Sequence, residues 1–224
     1  MNRVYHWVRR VMLARKARLV KHNSRLSQGS LLDIGTGTGY FPHFMQERGW
    51  HVSAIEKSPQ ARQFAKEHFE LDVAAPEALN EFANKSFDVI TLWHVMEHLE
   101  HLNETWETLK RILKDQGILI IAVPNPTSFD AEKYKEMWGA YDVPRHLWHF
   151  SPSVMQQFGV KHDFILCERH PMPFDAFYVS MLSEKYRKSA FPFIKGLITG
   201  AEAWIVSLAK KDRSSSMIYV FRKK

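Results

Sequence analysis

The 224-residue sequence predicts an α/β fold built on a mostly parallel sheet with helices on both faces. Three observations carry that expectation. Short apolar runs alternate with helix-like stretches from Ser30 onward, and the connections between them are long enough for crossovers. A bend of small residues, Asp33-Ile34-Gly35-Thr36-Gly37-Thr38-Gly39, also stands where the first run ends and the first following helix begins.

The elements follow in order. Val4, Trp7, Val8, Val11 and Met12 recur at spacings of three and four with arginines between them, which predicts an amphipathic basic helix over residues 1–25. This helix is expected to lay its apolar stripe over the domain, with docking to a membrane surface or an acidic partner as the alternative. Leu31 to Ile34 is the first strand, and a helix runs from Tyr40 to Arg48, stopping at Gly49. His51 to Ile55 is the second strand. Ser58-Pro59 then reads as an N-cap with proline at the first helical position, opening a helix that reaches about His68. Further strands are expected at Glu70 to Val73, Phe87 to Leu92 and Gly117 to Val123, with the helix of Trp106, Leu109 and Leu113 before the last. A loop rich in Pro, Tyr and Trp covers about 126–150, a short helix follows Ser151-Pro152, and strands are placed at Phe164 to Cys167 and Met217 to Phe221. The aromatic segment at about 171–216 is too long for a plain loop and must carry helices of its own. Residues 26–224 are therefore expected to form one domain with elaborations, the size favouring a single core.

Composition narrows the class. An apolar fraction of 45% and a charged fraction of 25% are those of an ordinary globular chain. No run approaches the roughly 18 apolar residues of a membrane span, and no secretory leader is visible, so a cytoplasmic protein is expected. Residues 1–25 hold eight of the 31 basic side chains and no acidic one, which leaves 23 basic against 24 acidic elsewhere. The net charge of +7 is thus local to one segment. The lone Cys167, within Phe164-Ile165-Leu166-Cys167, is expected to be a buried and inert strand residue.

The glycine bend is where chemistry is expected. Its spacing is G-x-G-x-G, with Tyr40 where a dinucleotide fingerprint would have its third glycine, and with Asp33 just before it. Bare amides and a helix dipole suit phosphates; a carboxylate beside the turn suits an ammonium. Glu56 closes the second strand, where an acidic side chain can accept both hydroxyls of a ribose.

Three ordered blocks, Leu31 to Tyr40 (LLDIGTGTGY), Ser86 to Leu99 (SFDVITLWHVMEHL) and Gly117 to Asn125 (GILIIAVPN), together resemble the class I S-adenosylmethionine-dependent methyltransferases that act on small molecules. The resemblance covers roughly residues 30 to 125. It implies a Rossmann-like methyltransferase fold, a seven-stranded sheet with an antiparallel last strand. It also implies S-adenosylmethionine as cofactor, S-adenosylhomocysteine as product and a small-molecule methyl acceptor. Asp33, Gly35, Thr36, Gly37, Gly39 and Tyr40 would hold the methionine part, Glu56 the ribose and Lys57 the adenine flank, with Trp93 and His94 facing the sulfonium. Thr36 departs from the commonest pattern but keeps a small side chain. Asp72, Ala75 and Glu77 all compete for the adenine amine.

Similar Pro-Arg-His loops occur in a subset of the family, and here the loop reads Tyr141-Asp142-Val143-Pro144-Arg145-His146. Arg145 could clamp an anionic group of the acceptor, and His146 or His94 could take its proton. Packing of the same loop on the domain is an equal alternative. His94-Val95-Met96-Glu97-His98 also reads as H-x-x-E-H, a zinc arrangement if both imidazoles shared a helix face. Packed and helix-start readings of these residues outweigh it, so no metal is expected. Rival functions are a nucleic-acid methyltransferase using the N-terminal arginines, a non-catalytic cofactor-binding module, and a nicotinamide oxidoreductase. Tyr40 counts against the last, and the absence of an Asn-Pro-Pro-Tyr-like tetrapeptide after the fourth strand counts against base methylation. The aromatic insertion suits core packing or a homodimer contact better than a substrate box.

Overall fold

A computed structural model describes residues 2–224, with side chains from residue 6 onward. Seven strands form one sheet in the order β3-β2-β1-β4-β5-β7-β6. They are β1 (Ser30–Ile34), β2 (His51–Ile55), β3 (Val73–Ala74), β4 (Phe87–Trp93), β5 (Leu113–Pro124), β6 (Phe164–Pro171) and β7 (Ser216–Lys223). β1 runs parallel to both β2 and β4, and β2 parallel to β3, in an otherwise mostly parallel sheet that closes with an antiparallel last strand. The fold class read from the sequence is the observed one.

Two compact units make up the chain: Met1–Trp93 with Asn103–Ile120 and Arg222–Lys224, and His94–Leu102 with Ile121–Phe221. In the first unit α1 (Asn2–Ser24), α2 (Tyr40–Gln46), α3 (Pro59–Phe69) and α4 (Leu102–Ile112, from Asn103 on) surround strands whose residues Leu31, Leu32, Val89, Ile90 and Leu92 are fully buried. Strands buried on both faces read as nearly continuous apolar runs, and although Asp33, Asp88 and Thr91 interrupt them the sequence announces β1 and β4 clearly. Ser58 caps α3 by accepting from the Ala61 amide at 3.3 Å, with Pro59 behind it as expected.

In the second unit lie α5 (Phe129–Tyr134), α6 (Pro152–Lys161), α7 (Asp175–Tyr186) and α8 (Pro192–Ala209). The last two are the helices required of the insertion. α8 turns Gly196, Thr199, Gly200, Ala203 and Ser207 inward, while Phe193, Ile194, Ile198, Ile205 and Leu208 face outward. A Cβ at Gly196 would meet the Met181 backbone at 2.6 Å, and one at Gly200 the Phe177 backbone at 2.8 Å, so α7 and α8 approach closely through those glycines.

Several expectations need correction. Residues 70–72 are not strand: Glu70 adopts φ 53° as the left-handed cap of α3, and β3 starts only at Val73. Leu113 opens β5 instead of closing the preceding helix. The 126–150 segment contains α5, whose N-cap Ser128 accepts from Ala131, along with two 3-10 turns. Cys167 is exposed, because β6 lies at the sheet edge and its burial alternates, with Phe164 in and Ile165 and Cys167 out. In α1 the buried positions are Ala17, Val20 and Asn23, whereas Trp7, Val8 and Val11 are exposed, so the apolar stripe at 7–11 does not lie on the domain. The Val4 side chain falls outside the described residues. Among the described residues no helix is long and apolar enough to cross a membrane.

Candidate functional site

Open parallel sheets place ligands at the carboxyl ends of strands where strand order reverses. Here that reversal separates β1 from β4, and the three carboxyl ends of β1, β2 and β4 all belong to the first unit. Ile34 is in register with both Ile55 and Leu92, which aligns the ends carrying the glycine turn, Glu56 and Trp93.

The turn is held by its own backbone. The amides of Gly35 and Thr36 both donate to the Ile55 carbonyl, at 2.7 and 3.0 Å. Gly37 and Gly39 have φ of 58° and 83°, which side-chain-bearing residues rarely adopt. They differ in surroundings. A Cβ at Gly39 would stand 2.9 Å from the Ala65 Cβ of α3, whereas one at Gly37 would meet nothing within 4 Å. Gly39 is therefore needed for helix packing, and Gly37 leaves open space above the bend.

Glu56 is more than a free acceptor. Its Oε2 accepts from the Gly37 amide and its Oε1 from the Ser58 amide, both at 2.8 Å, so the carboxylate ties the glycine turn to the start of α3. Each oxygen keeps a lone pair beyond those bonds. Asp33 is buried, and its Oδ1 accepts from the Thr91 hydroxyl of β4 at 2.5 Å. Burial pushes its carboxyl up to about 6, against the pull of that hydrogen bond and of the Lys16 ammonium. Thr91 was not legible as a site residue, since a threonine inside an apolar strand reads as filler.

Helix α1 reaches this region through two cations. The Lys16 Nζ lies 4.3 Å from the centre of the Trp93 indole, and the Arg9 guanidinium 3.8 Å from that of the Tyr40 ring. Trp93 packs edge-on against Phe41 at 5.6 Å, and its buried indole N–H has no hydrogen-bond partner. Lys57 is exposed, Asp72 forms an exposed ion pair with Lys66 at 2.6 Å just before β3, and Ala75 and Glu77 lie past its end.

The remaining candidates lie in the second unit. His94 has φ 58° and its amide donates to the Ala122 carbonyl at 2.9 Å. Its Nε2 stands 3.1 Å from Asp175 and its Nδ1 3.4 Å from Glu97. Burial disfavours the imidazolium, but the two carboxylates outweigh it and push the group up to about 10. Asp175, in the first turn of α7, carried no sequence signal. Arg145 is exposed and already paired with Asp142, Nη2 to Oδ2 at 2.7 Å. A clamp on an acceptor would have to exchange that partner. His146 gives Nδ1 to the Ala140 carbonyl at 2.8 Å, and because a carbonyl only accepts, that nitrogen carries the hydrogen. The loop is zipped to the 96–98 turn: the Leu147 amide donates to the Glu97 carbonyl at 2.8 Å, and the Trp148 indole to the Leu99 carbonyl at 2.7 Å.

Against known proteins, the methyltransferase domain family matches residues 4–164. The chain belongs to this methyltransferase family. Similar sequences include an uncharacterized methyltransferase of Staphylococcus carnosus, 32% identical over 112 residues, covering 49% of this chain and 53% of that protein. The mitochondrial ubiquinone biosynthesis O-methyltransferase of Schizosaccharomyces pombe is 28% identical over 135 residues, covering 56% and 49%. The chain spans about half the length of the curated relatives it matches. Among solved structures, a SAM-dependent methyltransferase of Archaeoglobus fulgidus shares the fold with TM-score 0.61 at 18% identity, covering 96% of this chain and 94% of that one. Phosphoethanolamine N-methyltransferase 2 of Haemonchus contortus, in complex with phosphomonomethylethanolamine and S-adenosylhomocysteine, does so with TM-score 0.62 at 20% identity, covering 93% and 52%.

Proposed function

We propose that this chain transfers a methyl group from S-adenosylmethionine to a small-molecule acceptor, releasing S-adenosylhomocysteine. The observation that carries the reading is the open Gly37 bend bracketed by two carboxylates, Asp33 and Glu56, in a chain of the methyltransferase family. The residues present fit the cofactor. The open space over Gly37 admits a ligand against bare backbone, Asp33 supplies a negative charge for an ammonium, and Glu56 retains lone pairs for a diol. When bound, the cofactor supplies an activated methyl group and a neutral thioether leaving group.

The protein's own share is then positioning. Holding two reactants in line contributes on the order of 7 to 11 kcal/mol, so few groups need take part in proton transfer. Gly35, Thr36, Gly37, Gly39 and Tyr40 shape the methionine side, and Trp93, held under the Lys16 ammonium of α1, is assigned to face the sulfonium. Lys57, at the start of the exposed segment after Glu56, is assigned to the adenine flank. On the acceptor side the reading assigns His146, whose second ring nitrogen stays basic once Nδ1 serves Ala140, with Arg145 and His94 as nearby positive charge in the same unit. Support for a small acceptor comes from relatives named for ubiquinone biosynthesis and from the phosphomonomethylethanolamine complex.

Calorimetric titration with S-adenosylmethionine tests the reading. Asp33→Ala and Glu56→Ala are each expected to weaken binding at least tenfold; wild-type affinity in both variants would overturn it.

A further inference from the structure

We infer that Glu97, His98 and His146 form a binding site for a divalent transition-metal ion of the zinc type. This goes beyond methyl transfer and does not rest on it; with an ion on His146 Nε2 that nitrogen is no longer a base, and the ion takes over the polarising of an acceptor oxygen. Each of the three residues offers one ligand atom, and those atoms lie within 4.8 Å of one another. Metal–ligand bonds of 2.0 to 2.2 Å put tetrahedral donors roughly 3.3 Å apart, so closing the site asks for movements of about an ångström.

Two independent features single out this trio. The first is Glu97 itself, whose side chain is only 1% exposed although its Oε2 has no hydrogen-bond partner. The His94 imidazole, 3.4 Å from Oε1, balances that side of the carboxylate only. A buried carboxylate oxygen left without a donor is costly, and a dication beside Oε2 removes that deficit. Backbone bonds hold the residue in place, since its carbonyl accepts from Leu147 and Trp148.

The second feature is the state of the two imidazoles. His98 commits Nδ1 to the Arg145 carbonyl at 2.9 Å, and His146 commits Nδ1 to the Ala140 carbonyl at 2.8 Å. Both rings are thereby fixed with the hydrogen on Nδ1 and the lone pair on Nε2. Metal-binding histidines are oriented in just this manner, one nitrogen on a backbone carbonyl and the other on the ion. The rings stand 4.6 Å apart, centre to centre, and His98 is open to solvent, which provides a route for loading. Asp142, 3.8 Å from His146 Nε2, adds negative charge at the rim.

The ligand set differs from the H-x-x-E-H arrangement that the sequence suggests. Residues 96–98 form a 3-10 turn and His94 precedes it in a left-handed conformation, so His94 and His98 do not share a helix face. His94 instead meets Asp175, and its place is taken by His146 from the Pro-Arg-His loop. Two imidazoles and one carboxylate suit zinc, cobalt or iron over calcium and magnesium, which prefer oxygen throughout. Three protein ligands leave room for water or an oxygen of a substrate.

The test uses the full chain stripped with a chelator and titrated with Co²⁺, read by its visible absorption, and with Zn²⁺ by calorimetry. One ion per chain is expected, undisturbed by excess Mg²⁺. His98→Ala and His146→Ala should each weaken Zn²⁺ binding at least tenfold, and the isosteric Glu97→Gln should do the same with an unaltered circular dichroism spectrum. Failure of the wild-type chain to take up Co²⁺ saturably overturns the site, as does unchanged Zn²⁺ affinity in folded variants. Binding of S-adenosylmethionine, measured separately, reports on the methyltransferase reading alone.

Discussion

Asp33 illustrates how a single side chain links stability to pH and, under the proposed function, cofactor affinity as well. Its carboxyl titrates near 6 in the folded chain against an ordinary value of 3.8, so folding favours the protonated form. The stability this contributes is complete below about pH 3.8 and is lost as pH rises through about 6, a cost of about 3 kcal/mol at neutral pH. Asp33→Asn removes the titration while keeping an acceptor for Thr91. Urea unfolding should show the variant gaining up to about 3 kcal/mol at pH 7.5 and little at pH 4; equal gains at both would refute the burial argument. In the wild-type chain an ammonium needs the carboxylate, so affinity for S-adenosylmethionine should fall as pH is lowered through about 6, which calorimetry across that range would detect. A second residue-scale expectation concerns Asp130, buried between the Trp138 indole and the Ser215 hydroxyl at 2.7 Å each. Asp130→Ala strands both donors and should cost about 2 to 5 kcal/mol in thermal unfolding. The sequence exposed Asp33 and the glycines because a fixed spacing writes them side by side, and Glu56 because it closes the second strand. It hid Thr91, Asp175 and the double role of Glu56, which depend on partners distant along the chain.

Among the elements, legibility followed burial. β1 and β4 are mostly apolar, interrupted by Asp33, Asp88 and Thr91, and Ser58-Pro59 and Ser151-Pro152 carry cap chemistry, so these starts were readable. α5 has six residues, too few for a helical period to show, and the edge strand β6 presents Ile165 and Cys167 to solvent in an apolar stretch that resembles core. α1 misled for the converse reason: its apolar residues at 7, 8 and 11 face outward while its contacts come from Ala17 and Val20 and from cations over Tyr40 and Trp93. The α7–α8 pair yields an element-scale prediction. Alanine is a better helix former than glycine by about 1 kcal/mol, yet at Gly200 the added Cβ meets backbone 2.8 Å away, which cannot yield as a flexible side chain would. Gly200→Ala should therefore destabilise the chain by about 1 to 3 kcal/mol, seen as a lower Tm; a raised Tm would show that propensity wins.

For the molecule as a whole, the number of strands was readable from alternation, but their spatial order was not, since β7 enters between β5 and β6 through pairings that no local pattern encodes. Alternation predicted the mostly parallel sheet, the family resemblance added its antiparallel last strand, and the family match covers residues 4–164. The segment beyond it holds α8, which packs through glycine, alanine, serine and threonine and turns its bulkiest aliphatics to solvent. Such a helix is inverted relative to an ordinary amphipathic one, and so its greasy outer rim contributes almost nothing to the fold it adorns. That rim can be rewritten: lysines in place of Ile198 and Ile205, which are 55% and 60% exposed, should leave unfolding free energy within about 0.5 kcal/mol while delaying precipitation by ammonium sulfate.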